Sequence, residues 1–172
     1  MDILVTAKDA ETETQGVLRI GDTAYSCALG RGGIRLDKKE GDGATPIGCF
    51  PLRRVFYRAD KIAAPKTALP LLVIHRADGW CDDPNDAFYN RQVRLPHAGR
   101  CETLWREDEL YDVVVALGYN DDPAVPGRGS AIFLHVAKPD LAPTEGCIAL
   151  KFLDLLEALK AVHPGDRLCM KD

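Results

Sequence analysis

Short apolar runs separated by clusters of Gly, Pro and Asp dominate this chain and limit what it can fold into. The run Val-Val-Val-Ala-Leu at 113–117 is β-branched and uncharged, as in a buried strand, and so is the apolar run at 131–136. Gly21-Asp22 separates two runs of β-forming residues, which is typical of a hairpin turn. The pattern predicts a mainly β domain with few helices. Its strands are expected over 3–7, 16–20, 23–29, 49–57, 71–75, 111–119, 131–136 and 166–171.

Only one long segment has helical periodicity. Apolar residues occur at the i, i+3, i+4 and i+7 positions of one face over 152–162, and Pro164 would stop the helix soon afterwards. A second, short helix is expected over 103–109. The predicted strands therefore far outnumber the predicted helices.

Length and charge narrow the class of protein. The chain has 172 residues, which fits a single domain, expected over 1–172. Its net charge is −4 and its basic residues are scattered, so nothing predicts a nucleic-acid partner or an anionic membrane surface. No stretch approaches the roughly 18 apolar residues of a membrane span. The first residues lack the basic and apolar regions of a secretory signal, which predicts a cytoplasmic protein.

Six cysteines are present, and none forms a C-x-x-C pair. This spacing does not support a zinc ribbon or a thioredoxin-like site, and the chain is long enough to fold without disulfides. Five cysteines are predicted to be buried small hydrophobes or residues without evident chemistry: Cys27, Cys49, Cys81, Cys101 and Cys169.

The sixth cysteine, Cys147, differs from the others because the residues around it suit a reactive thiol. His135 ends a predicted strand, and Cys147 follows after a loop with two prolines that can fold back. A free thiol titrates near ~8.5, so a nucleophilic cysteine needs a base beside it. The pattern predicts Cys147 as a nucleophile and His135 as its general base.

Gly146, just before Cys147, is predicted to let the backbone approach a substrate carbonyl closely. The N–H groups of Gly146 and Cys147, ahead of a helix N-terminus, would then form an oxyanion hole. A further group should orient the histidine. The candidates are Asp140, Thr144, Asn120 or a backbone carbonyl.

Two other interpretations compete with this one. A cysteine and a histidine on neighbouring strands can be ordinary core residues, and each taken alone favours that view. A cysteine phosphatase would need an arginine six residues beyond its cysteine, where this chain has Leu153. The phosphatase interpretation is therefore set aside.

The sequence resembles the L,D-transpeptidase catalytic domain family (YkuD-type) from about residue 16 onwards. The resemblance rests on His135, the loop, and then Thr144-Glu145-Gly146-Cys147-Ile148, together with Thr45-Pro46-Ile47-Gly48 ahead of a strand. Glu145 stands where the family often has histidine, and Ala149 where it often has arginine or asparagine. These departures concern substrate handling more than the catalytic pair.

The resemblance implies a β-sandwich or mixed-sheet catalytic domain with one clear helix after the cysteine. It implies that Cys147 attacks the diaminopimelate carbonyl of a peptidoglycan tetrapeptide stem, releases D-Ala, and passes the acyl group to the amine of a second stem as a 3→3 cross-link. Water as acceptor would make an L,D-carboxypeptidase, and a D-amino acid an exchange enzyme. The family context also implies a periplasmic or cell-envelope location, carbapenems as covalent inhibitors, and neither a metal nor an organic cofactor.

The sequence is also compatible with two further functions. The chain could be a catalytically idle peptidoglycan-binding module, or a cytoplasmic enzyme acting on soluble peptides. Six residues are candidate substrate contacts, each weighed against a structural role in a turn, loop or core: Thr144, Asn120, Tyr119, Trp80, Asp82 and Arg128.

Overall fold

A computed structural model describes residues 1–9 and 12–171 of the chain. Within this part there is a single α-helix, α1 (Phe152–Ala161), among short strands. The strands are β1 (Asp2–Ala7), β2 (Gln15–Ile20), β3 (Thr23–Ala28), β4 (Ile34–Arg35), β5 (Thr45–Pro46), β6 (Gly48–Tyr57), β7 (Leu71–Val73), β8 (Asp78–Cys81), β9 (Gln92–Arg94), β10 (Cys101–Thr103), β11 (Val113–Leu117), β12 (Phe133–Val136), β13 (Ile148–Leu150) and β14 (Arg167–Lys171).

The larger sheet closes on itself through β6. In the described residues its strand order is β11-β12-β13-β3-β2-β1-β14-β6-β7, and β6 also pairs with β11. The ten-residue length of β6 makes this possible, because its first half pairs with β14 while its second half pairs with β11 and β7. Parallel and antiparallel pairs are mixed, as in β12 with β13 and β11 with β12.

The central strand β11 is buried on both faces, which accounts for its uniformly apolar sequence. Val113 and Val115 belong to the main core, which α1 covers with Leu155 and Leu159. Val114 and Ala116 point to the opposite face and belong to a second apolar cluster. The candidate functional site lies on that second face, whose apolar cluster includes Cys147.

A small antiparallel sheet, β10-β8-β9, lies over this second face. Trp80 of β8 packs edge-on against Phe133 of β12, with ring centroids 5.0 Å apart. The small sheet therefore forms one wall above the larger sheet.

The predicted fold class is confirmed: the chain is mainly β, with its helix after Cys147. The helix predicted over 103–109 is wrong. Asp108 accepts hydrogen bonds from the Leu110 N–H and from the Arg106 side chain, and such local bonds favour a turn over a helix. The apolar strand predicted over 71–75 is a short outer strand on which Leu72 and Val73 are exposed.

The prediction for Cys49 and Cys169 is corrected, since the two residues form a disulfide. They lie directly opposite each other on the antiparallel strands β14 and β6. They are 120 residues apart in sequence, and spacing alone does not reveal connectivity over such a distance. Cys27, Cys81, Cys101 and Cys147 are free thiols.

Candidate active site

The parallel pairing of β12 with β13 brings the predicted nucleophile and base together. His135 pairs with Ala149, and Cys147 stands two residues before Ala149. Side chains alternate along an extended chain, so Cys147 and His135 face the same side of the sheet. Both side chains line one cavity of about 490 Å³.

The turn before Cys147 is fixed by Thr144. Its hydroxyl donates to the Cys147 carbonyl at 2.6 Å and accepts the Gly146 N–H at 3.1 Å. The Thr144 backbone is held in turn by Leu29 and Arg31, through N–O distances of 2.9 Å. Thr144 also lines the cavity, but both of these hydrogen bonds of its hydroxyl are made within the turn.

Gly146 has a different role from the predicted one. Its φ of +127° disfavours any side chain, and a Cβ there would lie 2.7 Å from the Ala44 carbonyl oxygen. Its N–H already donates to Thr144. Gly146 is therefore required for backbone packing, and the prediction that its N–H forms an oxyanion hole is not supported.

The predicted influence of the helix on Cys147 is also corrected. Strand β13 separates Cys147 from α1, which begins at Phe152. The electrostatic effect of a helix end falls off within about its first turn. The chemistry of Cys147 must depend on nearer groups.

The Cys147 thiol is buried, with 8% of the residue exposed. Its sulfur accepts the Phe133 N–H at 3.3 Å and donates to the Ala131 carbonyl at 3.2 Å. Burial, aided by the charge of Glu102, raises the pKa of Cys147 to about 12. Cys147 is therefore a neutral thiol at pH 7.

His135 is oriented by its own neighbour. Its Nδ1 lies 2.8 Å from the Val136 carbonyl oxygen. A carbonyl can only accept, so Nδ1 carries the proton and Nε2 is the basic nitrogen of the neutral ring. Of the orienting groups considered from sequence, the backbone carbonyl is the one observed. Burial lowers the pKa of His135 to about 4, so the ring is neutral at pH 7.

Sequence reasoning missed an acidic group beside this pair. Glu102 of β10 lines the cavity and accepts a hydrogen bond from the Tyr111 hydroxyl. The Tyr111 ring packs edge-on against His135, with centroids 5.4 Å apart. Burial raises the pKa values of both Glu102 and Tyr111. Glu102 lies on a three-residue strand, which is too short for a periodic signal in the sequence.

Of the other candidate substrate contacts, only Asp82 lines the same cavity, where it pairs with Arg100 at 3.0 Å. Trp80 donates its indole N–H to Asn90 and packs on the sheet, outside the lining of the cavity.

Tyr119, Asn120 and Arg128 lie around a different surface depression. The side-chain amide of Asn120 donates to the Val125 and Gly129 carbonyls and accepts the Val125 N–H, so it holds its own loop together. The Tyr119 hydroxyl donates to the Arg128 carbonyl. For these three residues the geometry favours loop structure over contact with a substrate at Cys147.

A buried cysteine and a neutral histidine, carried by adjacent strands of a mainly β domain, thus line the same cavity. The chain belongs to the L,D-transpeptidase catalytic domain family (YkuD), whose model matches residues 8–168.

Among solved structures, the chain is similar to L,D-transpeptidase 1 of Mycobacterium tuberculosis. The identity is 14% and the TM-score 0.41, and the match covers 98% of this chain and 61% of that one. No curated protein matches the chain in sequence. In the part of the chain described, no helix is long and apolar enough to cross a membrane.

Proposed function

We propose that this protein is a cysteine acyltransferase of peptidoglycan metabolism, with Cys147 as nucleophile and His135 as general base. The observation that carries the proposal is the placement of both side chains in the wall of one cavity, with Nε2 of His135 as the basic nitrogen. Family membership supports the same reaction class.

The pKa values of Cys147 and His135 describe a pair that is neutral at rest, so in this mechanism the thiol proton leaves only as the sulfur attacks. With Cys147 near 12 and His135 near 4, the resting pair is neutral rather than an ion pair. As Sγ bonds to the carbonyl carbon of the diamino acid, the thiol proton moves to His135. The imidazolium then gives that proton to the departing D-Ala nitrogen, which leaves a thioester on Cys147.

The second half of the reaction reverses the proton flow. The side-chain amine of another stem attacks the thioester carbonyl and loses a proton to His135. The sulfur leaves and regains a proton from the imidazolium, and the new amide is a 3→3 cross-link. Water or a free D-amino acid in the place of the amine would give a carboxypeptidase or an exchange enzyme.

The cavity lining is compatible with a zwitterionic peptide. Lys38, Arg106 and Lys138 supply positive charge, while Glu40 and Asp82 supply carboxylates. A tetrapeptide stem carries both carboxylates and the ammonium of its diamino acid, so charges of both signs can be matched.

The test is incubation with disaccharide-tetrapeptide muropeptides and mass spectrometry of the products. Wild type should release D-Ala and form a 3→3 dimer, whereas Cys147→Ala should do neither. Cys27→Ala serves as the matched control, because Cys27 is a fully buried free thiol that belongs to the main core and not to the apolar cluster that includes Cys147. Tripeptide without dimer would assign carboxypeptidase activity, and dimer formed by Cys147→Ala would refute the nucleophile.

A carbapenem gives an independent readout of the same thiol. The proposal expects one covalent adduct per chain on wild type and none on Cys147→Ala, by intact mass. An adduct that persists in Cys147→Ala would place the reactive nucleophile elsewhere.

We also propose that the protein works in the cell envelope. The Cys49–Cys169 disulfide supports this, since such bonds persist in oxidising compartments. Alkylation of thiols in intact cells before lysis tests it. Recovery of Cys49 and Cys169 in alkylated form would contradict an envelope location and favour a cytoplasmic substrate.

A further inference from the structure

The small sheet carries a cluster of metal-binding side chains that the acyl-transfer site does not use. Cys81 of β8 and Cys101 of β10 lie directly opposite each other, and His97 reaches them from the loop before β10. The two sulfurs and one ring nitrogen of His97 all lie within 4.8 Å of one another.

We propose that Cys81, Cys101 and His97 form a binding site for a divalent metal ion that prefers thiolate ligands, such as Zn²⁺. Two thiolates and an imidazole form a donor set that selects Zn²⁺ over Mg²⁺ or Ca²⁺, which prefer oxygen ligands. Ligand atoms around tetrahedral zinc lie about 3.5 to 3.8 Å apart, so separations of up to 4.8 Å need to contract by no more than about 1.3 Å.

Asp86 supplies the support expected around a metal-binding histidine. Its Oδ2 lies 3.0 Å from Nε2 of His97, which leaves Nδ1 as the ring nitrogen for the ion. A carboxylate hydrogen-bonded to the outer nitrogen of a ligand histidine fixes the ring and raises its basicity. Asp86 is itself held, because its Oδ1 accepts the Phe88 N–H at 2.7 Å.

Burial also suits a structural ion. Cys81 is fully buried, and His97 and Asp86 have side chains only 19% and 15% exposed.

The position of the cluster links it to the catalytic cavity. Asp82 follows Cys81, and Arg100 and Glu102 flank Cys101, and all three of these neighbours line the cavity with Cys147. An ion bridging β8, β10 and the His97 loop would therefore hold one wall of the cavity in place. This inference does not depend on the proposed reaction, and metal binding can be measured without any peptidoglycan substrate.

The test is the zinc content of full-length protein purified anaerobically with added Zn²⁺ and then dialysed. Wild type and Cys147→Ala should each retain about one zinc per chain, and Cys81→Ser/Cys101→Ser less than a tenth as much. Co²⁺ should give thiolate-to-metal charge-transfer absorption in wild type and Cys147→Ala, and none in Cys81→Ser/Cys101→Ser. His97→Gln provides a second variant, because its loop position leaves both thiols and the sheet intact.

Asp86→Asn and Asp83→Asn make a matched pair, since both aspartates accept a hydrogen bond from a backbone N–H two residues on. Only Asp86 contacts His97. Asp86→Asn should weaken zinc binding about 10- to 100-fold, and Asp83→Asn should leave it unchanged. Equal zinc content in wild type and in Cys81→Ser/Cys101→Ser would overturn the proposal, as would recovery of Cys81 and Cys101 as a disulfide under these conditions.

Discussion

Two pairs of cysteines face each other across antiparallel strands in this protein, and their surroundings differ. Cys49 and Cys169 join β6 to β14 in the large closed sheet and are bonded. Cys81 and Cys101 join β8 to β10 in the small sheet and remain thiols beside His97. The same cross-strand geometry thus occurs once as a covalent link and once as a set of metal ligands.

The two regions also differ in what holds them together. The large sheet packs α1 and several strands around a continuous apolar core. The small sheet depends more on polar contacts, such as buried Asp78, which accepts bonds from the His75 N–H and from Arg94. The large sheet can therefore be broken by removing apolar volume, whereas the small sheet should respond to its ligands and ion pairs.

The largest effect on stability is expected from the disulfide. Cys49→Ala/Cys169→Ala should lower the free energy of unfolding by about 4 to 5 kcal/mol, because the bond closes a loop of more than 100 residues. Cys81→Ala/Cys101→Ala, measured with a chelator present, should cost only about 1 to 2 kcal/mol. Urea unfolding of both pairs checks this difference. Equal losses would mean that the two pairs are not distinct in the metal-free protein.

The second-largest loss of stability is expected from a cavity in the apolar core. Leu155→Ala removes a fully buried side chain from α1 and should cost about 3 to 4 kcal/mol. Leu153, two residues earlier and 74% exposed, is the matched control, and its alanine variant should stay within about 0.5 kcal/mol of wild type. Similar values for both leucines in denaturant unfolding would argue against the packing of α1 on the main core.

His135 should make the stability of the large sheet depend on pH. Its folded pKa of about 4 is below the ordinary value of 6.5, so between these values the unfolded chain binds more protons. The free energy of unfolding should therefore fall as pH drops from 6.5 to 4, by about 3 kcal/mol from this group.

His135→Gln should remove most of that slope, and His75→Gln, at an exposed position, should leave it. Urea titrations between pH 4 and 7 measure the difference. A wild-type slope in His135→Gln would show that other groups cause the pH dependence.

The smallest effects are expected at ion pairs, and here the small sheet should be the more sensitive region. Arg31 pairs with Glu145 at an exposed site and its alanine variant should cost less than about 0.5 kcal/mol. Arg94→Ala should cost about 1 kcal/mol, since it leaves buried Asp78 with one partner fewer. Thermal unfolding at low salt ranks the two, and the reverse order would contradict the contrast between regions.

Several features could be predicted because they depend on local sequence. The β-branched run of β11 predicts a strand, and the periodic apolar face of α1 predicts a helix, each from a short stretch of sequence. Both elements are confirmed. The His135 to Cys147 motif pointed to the transpeptidase family, and the family match confirms it. In each case the signal lies within a short stretch of chain.

The small sheet could not be predicted in this way. Strands β8, β9 and β10 have three or four residues each, too few for a period to show. The sequence therefore did not identify Glu102 as a site residue, and the segment that follows it, 103–109, was predicted as a helix. The position of Glu102 relative to His135 depends on how β10 lies over the large sheet.

Local sequence was enough to predict the class of fold, the helix after Cys147 and the pair of residues most suited to thiol chemistry, because propensity and motif spacing are local properties. Contacts between distant segments established which cysteines meet, why Gly146 must be glycine, and which carbonyl orients His135. These depend on strand register and on close approach of distant backbone segments, such as Ala44 against Gly146. Contacts of this kind join residues far apart in sequence, and no local pattern encodes them.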